Sequence, residues 1–185
     1  MAISNTTYFN TNCGNVISLN EETIKHLQAH PEAEALLEEA IAKIDLPREG
    51  GFLMTTVEFD RVIGTNACVK ANEENLEKIF FSVRPGRELP TRVLIGQKPE
   101  PTNLFTILAS KNGKQWNLVT GFTGPQAPRE PHAPYFAEAR DGRGQSEAKA
   151  FWTEHGLCLG DDWGKPFVSN WPKVIIDAAW DRCGW

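Results

Sequence analysis

The sequence predicts an α+β fold in which N-terminal helices pack on a four- to five-stranded antiparallel sheet, with further helices toward the C-terminus. Apolar residues recur at three- and four-residue spacing within residues 31–44, which is the pattern of an amphipathic helix. Apolar residues alternate on both sides of Asn112-Gly113, and Asn-Gly in that setting is typical of a tight two-residue β-hairpin. We therefore expect the sheet to be centred on residues 92–124.

The size and composition of the chain favour one globular domain. With 185 residues, the chain is long enough for a single substantial core, so we predict one domain over residues 1–185. No apolar segment approaches the ~20 residues that a membrane-spanning helix needs. No secretory signal pattern is visible, so cytoplasmic localisation is the expectation. The four cysteines are scattered without a Cys-x-x-Cys pair, and we predict neither a metal nor a cofactor.

Two helices are expected early in the chain. Ser18 opens a capping-box pattern with a glutamate three residues later, and Asn20 is a competing cap. This helix carries His26 and ends near His30, because Pro31 disfavours a helical residue before it. A second helix begins at Pro31. His26 and His30 are four residues apart and share one side of the first helix if it persists, but the other residues of a zinc motif are missing.

The middle of the chain combines short strands with positive charge. Strands are expected at residues 57–64, 67–71 and 79–84. Arg84 and Arg87 bracket a Pro-Gly turn, where such a pair fits either a solvated turn or a phosphate contact. Residues 70–114 hold eight Lys and Arg against five Glu, a net +3 in a chain of net −5. This asymmetry favours an anionic ligand at the sheet.

The second strand of the hairpin contains a candidate hydroxyl group. Alternation predicts that Thr120 shares a face with Trp116, Leu118 and Phe122, whereas Thr123 lies on the other face. Glycines near the end of the strand fit either a β-bulge or the close approach of a ligand to the backbone.

The C-terminal third is predicted from prolines, caps and aromatic residues. Four prolines within residues 125–134 exclude an internal strand and predict an exposed flap over one end of the sheet. Ser146 is expected to cap a helix at 147–155 that carries Trp152 and His155. A last helix is expected after Asn170, in the tryptophan-rich region 157–185.

Four segments together resemble a known superfamily. They are His26-Leu-Gln-Ala-His30-Pro31, Phe-Ser-Val-Arg84-Pro-Gly-Arg87, Leu-Val-Thr120-Gly-Phe-Thr-Gly and Phe-Trp152-Thr-Glu-His155. Their order resembles the metal-independent ribonuclease-toxin superfamily of barnase, RelE, EndoU and the colicin-type tRNA nucleases. The resemblance covers about residues 18–156 and leaves 157–185 as a helical addition.

The resemblance implies a bacterial, toxin-like endoribonuclease that cleaves tRNA or another RNA, with an inhibitor or immunity protein as a further partner. Metal-free RNA cleavage needs an acid, a base and groups that hold the phosphate. The implied catalytic residues are His26 or His30, Arg84, Thr120 and His155. The implied substrate contacts are Arg87, which is also an alternative phosphate clamp to Arg84, together with Arg92, Thr123 and Trp152.

The acidic net charge of the chain departs from the basic surface of such nucleases. The alternative hypothesis is therefore a non-catalytic protein-interaction module of phage or mobile-element origin on the same fold. In that case the proline-rich flap and exposed tryptophans would bind another protein.

Overall fold

The computed structural model describes residues 7–28, 31–72, 79–83, 90–131, 133–138, 142–160 and 167–169. The chain divides into two compact units. The first unit comprises residues 1–66 and 101–126, and the second comprises residues 67–100 and 127–185. The prediction that the chain forms one domain stays a prediction.

The described residues form twelve strands and five helices. In chain order they are β1 (Thr7–Asn10), β2 (Val16–Leu19), α1 (Glu21–Gln28), α2 (Pro31–Glu34), α3 (Leu37–Ile41), β3 (Phe52–Glu58), β4 (Gly64–Asn66), β5 (Cys68–Lys70), β6 (Ile79–Val83), β7 (Pro90–Leu94), β8 (Glu100–Thr102), β9 (Leu104–Asn112), β10 (Gln115–Thr123), α4 (Pro134–Glu138), α5 (Gly142–Glu154), β11 (His155–Cys158) and β12 (Phe167–Ser169).

The first unit is built on a five-stranded sheet in the order β1-β2-β10-β9-β3. Strands β2 and β10 are parallel, whereas the other neighbours are antiparallel. Helices α1 to α3 supply apolar residues to one face of this sheet. The largest fully buried residues of that core are Ile17, Leu27, Leu37, Ile41, Phe59, Phe105, Ile107 and Leu118. We call this the core face and the opposite side the open face.

Gly121 shows how tightly the core face is packed. A methyl group added to its Cα would lie 2.9 Å from the Phe105 ring and 3.3 Å from Leu37. Real side chains essentially never approach as closely as the first of these contacts. The glycine predicted to mark a bulge or a ligand contact therefore provides space for the core.

The hairpin of β9 and β10 is confirmed. Asn112 pairs with Gln115, so the loop consists of Gly113 and Lys114. Gly113 has φ of 61°, in the left-handed region that favours glycine. The loop begins one residue later than Asn-Gly predicts, because Asn112 still pairs as the last residue of β9.

A β-bulge in β10 overturns the predicted faces of that strand. Leu118 pairs with Ala109, but Thr120 pairs with Leu108, so Val119 is an extra residue. Trp116 and Leu118 lie on the core face, as strict alternation requires. The extra residue then transfers Thr120, and Phe122 after it, to the open face.

The second unit contains another five-stranded sheet, in the order β12-β6-β7-β11-β5. Strands β7 and β11 are parallel, and the remaining neighbours are antiparallel. Its main core contains Phe81, Phe136, Ala148 and Trp152. A small two-stranded sheet pairs β4 with β8.

The predicted fold class was wrong. Two strands precede α1, the described residues form three sheets instead of one, and both five-stranded sheets are mixed instead of antiparallel. The predicted helix after Asn170 lies outside the described residues. The error has a physical origin: β2 and β10 pair in parallel although they are far apart in the chain, and local patterns carry no information about such pairing.

The helix boundaries correct two further expectations. Ser18 belongs to β2 and donates to the Trp116 carbonyl at 3.2 Å. Asn20 is the cap instead, because its Oδ1 accepts from the Thr23 amide at 2.8 Å. The predicted helix over residues 31–44 is divided into α2 and α3. In the part of the chain that the structure describes, each helix is too short or too polar to cross a membrane.

Candidate functional site

Four of the predicted site residues lie wholly or partly outside the described residues. His30, Arg84 and Arg87 are not described, and the side chain of His26 is not described either. The backbone of His26 belongs to α1, whose Thr23 hydroxyl donates to the Leu118 carbonyl at 3.0 Å. The helix that carries His26 therefore packs on the core face.

The two predicted threonines of β10 lie on different faces. Thr120 is half-buried on the open face, beside Leu108 of β9 and opposite the side on which α1 packs. Thr123 lies on the core side, and its hydroxyl donates to the Thr65 carbonyl at 2.8 Å. The hydroxyl of Thr123 is therefore already used in joining β10 to β4.

Arg92, Trp152 and His155 come together in the second unit. Arg92 is buried, with 2 % of its surface exposed, and its Nη1 donates to the carbonyls of Trp152 at 2.6 Å and His155 at 3.2 Å. The same nitrogen also donates to the Thr153 carbonyl. Burial lowers the pKa of the Arg92 guanidinium to about 10. This arginine satisfies carbonyls at the end of α5, where a cation is favoured.

The ring nitrogens of Trp152 and His155 make different hydrogen bonds. Trp152 is buried, and its indole N–H donates to the carbonyls of Pro128 and Arg129 in the proline-rich segment. His155 stacks on Phe151 with ring centroids 4.2 Å apart, and its Nδ1 lies 3.0 Å from the Phe151 carbonyl. Because a carbonyl only accepts, Nδ1 must carry the proton in this contact, and Nε2 is then the acceptor nitrogen of the neutral ring.

Metal binding has no support within the described ranges, where no group of three or more His, Cys, Asp or Glu side chains has the arrangement to hold an ion. The described cysteines Cys13, Cys68 and Cys158 are free thiols. Burial and the nearby carboxylate of Glu100 raise the pKa of the Cys158 thiol.

A feature that sequence reasoning missed is the open face itself. Register and alternation place on it Tyr8, Asn10, Val16, Ser18, Phe52, Met54, Thr56, Glu58, Leu104, Thr106, Leu108, Ser110, Asn112, Gln115, Asn117, Thr120 and Phe122. Ser18 and Thr106 in the middle of this face are buried, whereas Phe52 and Met54 at its β3 side are 56 % and 53 % exposed. Within this set Glu58 alone carries a charge. The open face is therefore apolar and hydroxyl-rich, and almost neutral.

The open face ends at β3, which is the last strand of its sheet. The Lys111 amide donates to the Gly51 carbonyl and the Phe59 amide donates to the Asn103 carbonyl, both at 2.8 Å. These bonds show that odd-numbered residues of β3 point their backbone groups toward β9. The even-numbered residues, Phe52 to Glu58, therefore direct their N–H and C=O groups to the free edge.

Apart from Glu58 at its end, the sequence of β3 has none of the charged or proline residues that usually protect an edge strand. Residues 52–58 read Phe-Leu-Met-Thr-Thr-Val-Glu, without proline, glycine, lysine or arginine. Natural edge strands are commonly blunted by such residues or by bulges. This seven-residue run of strand-forming residues was a signal available in the sequence, but strand prediction began only at residue 57.

The open face continues into a hollow beside the β9–β10 turn. The hollow has a volume of about 540 Å³ and is lined by Tyr8, Asn15, Val16, Asn112, Lys114, Gln115 and Trp116. Tyr8 is 59 % exposed at its rim. This end of the face therefore adds an aromatic ring and one cation to the apolar surface.

No protein-family model, curated protein or solved structure matches this chain.

Proposed function

We propose that this protein is a protein-interaction module, and that the open face and the free edge of β3 form its docking surface. The observation that carries the proposal is the coincidence of two features on one strand. Phe52 and Met54 expose large apolar side chains, and in the part of the chain that the structure describes the backbone groups of the same residues have no partner at the sheet edge. A partner that adds a strand satisfies both the apolar surface and the backbone groups at once.

The size of the apolar surface supports docking. Tyr8, Val16, Phe52, Met54 and Val119 are each more than two-fifths exposed. On β3, Phe52 and Met54 together leave on the order of 200 Å² exposed, and Tyr8 and Val16 add a second apolar area on β1 and β2, at the opposite edge of the sheet. Patches of this kind commonly mark interaction sites, whereas single exposed apolar residues carry no such meaning.

The charge of the open face favours a protein over RNA. RNA binding is driven by cations that neutralise phosphates. The described strand residues of the open face include no lysine or arginine, and the neighbours of Thr120 there, Asn117, Phe122 and Leu108, are uncharged. The partner that fits this surface is therefore an extended protein segment with uncharged side chains.

Photo-crosslinking tests the docking surface. Benzoylphenylalanine is placed at Met54 or, as the matched control, at Val62, which is 66 % exposed outside the strands. We expect discrete protein adducts from position 54 and none from position 62. Adding Phe52→Ser to the first variant should remove at least nine-tenths of the adduct, because it deletes an apolar contact while leaving the fold intact. Equal adduct yields at both positions, or none at either, would overturn the proposal.

The ribonuclease hypothesis is the competing outcome. Total tRNA is incubated with the purified wild type and with His155→Ala. His155 is chosen because it is the one histidine whose side chain the structure describes. We expect intact tRNA in both samples. Cleavage by the wild type and its loss in His155→Ala would contradict the interaction-module proposal and favour a nuclease.

A further inference from the structure

The free edge of β3 has the properties of a self-complementary interface. A two-fold dimer uses the same surface on both copies, so that surface must complement itself. Strand β3 is neutral apart from Glu58, which lies at its end. A neutral strand meets its own copy without the like-charge repulsion that a lysine-rich edge creates. We propose that β3 pairs antiparallel with β3 of a second copy of this chain, an inference that rests on the proposed function.

One register overlaps the whole strand. It places Thr55 on the two-fold axis, so that Phe52 lies opposite Glu58 of the second copy and Met54 lies opposite Thr56 of the second copy. These four residues are the even-numbered ones, whose N–H and C=O groups point to the free edge. Every outward backbone group from Phe52 to Glu58 then gains a partner.

The same register separates the acidic residues. The two Glu58 side chains lie at opposite ends of the paired strands, about 20 Å apart at the usual rise per residue. This distance exceeds the screening length of about 8 Å at physiological ionic strength. The pairing joins two five-stranded sheets into one continuous sheet and places both open faces on one side of it.

Disulfide trapping tests the register. Thr55 would face its own copy in a non-hydrogen-bonded pair, with Cα atoms about 4.5 Å apart, which is within disulfide range. Thr55→Cys and the adjacent control Thr56→Cys are made in a Cys13→Ser, Cys183→Ser background. Cys68 and Cys158 are kept because they are buried. We expect mild oxidation to convert most of the Thr55→Cys chain to a reducible dimer and little of the Thr56→Cys chain. Equal linkage of both variants, or linkage of neither, would overturn the pairing.

Sedimentation of the untagged wild type provides the second measurement. We expect a dimer whose dissociation constant rises at least tenfold in Met54→Lys, because the substitution places two like charges within about 10 Å of each other across the axis. Val62→Lys is the control and should leave the constant unchanged. A monomeric wild type with an adduct from position 54 to a different protein would overturn self-pairing but retain the proposed function. A monomer with no adduct would overturn both.

Discussion

Replacement of Arg92 by alanine should strongly destabilise the second unit. The guanidinium Nη1 donates to the carbonyls of Trp152, Thr153 and His155, and Arg92 is 2 % exposed. Alanine leaves these buried carbonyls without their donor. It also opens space beside the end of α5, since a long side chain is removed.

The expected loss of stability follows from two opposing contributions, the cost of burying the charge and the gain from its hydrogen bonds. The lowered pKa of about 10 corresponds to a desolvation cost of about 3 kcal/mol for keeping the charge buried. The two N–H groups of Nη1 are shared among three carbonyls, and two hydrogen bonds from a charged donor, at about 1.5–3 kcal/mol each, equal or exceed that cost. We therefore expect Arg92→Ala to reduce the free energy of unfolding by about 2–4 kcal/mol, from the lost hydrogen bonds and the lost packing of a long buried side chain. At pH 7 the guanidinium is charged in both the folded and unfolded states, so the balance does not vary across neutral pH.

Urea unfolding at pH 7, followed by circular dichroism, measures this loss. The matched control is Arg143→Ala on the same helix, whose side chain is 90 % exposed in an ion pair with Glu147. It should change the free energy of unfolding by less than about 0.5 kcal/mol. If Arg92→Ala stays within about 1 kcal/mol of the wild type, within reach of an ordinary substitution, the assignment of Arg92 to the end of α5 is refuted.

Three further predictions concern the first unit. Gly121→Ala should cost about 1–3 kcal/mol by forcing a methyl group against the core, whereas Gly51→Ala, which meets nothing within 4 Å, should leave the urea midpoint nearly unchanged or slightly raised. Asn20→Ala should lower the free energy of unfolding by about 1 kcal/mol by removing the helix cap, and an unchanged urea midpoint would contradict that role. The hydrogen bond from Arg61 lowers the pKa of the Glu39 carboxyl. The pair therefore stabilises the fold above the unfolded pKa of Glu39, and this stabilisation is lost as the pH falls through the lower folded pKa. NMR titration should find the pKa of Glu39 raised in Arg61→Gln and unchanged in the control Arg48→Gln.

The sequence did not predict the docking surface, and the first reason is a single extra residue in β10. The alternation of β10 is visible in the sequence, but the extra residue Val119 is not, and it moves Thr120 from the predicted face to the other. The exposure of Phe52 depends on β3 being the last strand of the sheet. The position of a strand within a sheet follows from long-range pairing, which is not a property of its own residues.

Local structure was determined by the sequence alone wherever a few neighbouring residues decide the backbone conformation. The β9–β10 hairpin and the Asn20 cap, one of two predicted caps, are confirmed because turn and cap preferences act within a few residues. Only the tertiary structure decided the parallel pairing of Ile17 with Trp116 and the burial of Arg92 against the end of α5. Those contacts form because apolar surfaces and backbone groups from distant segments must be buried and paired together, and this requirement is met by the whole fold.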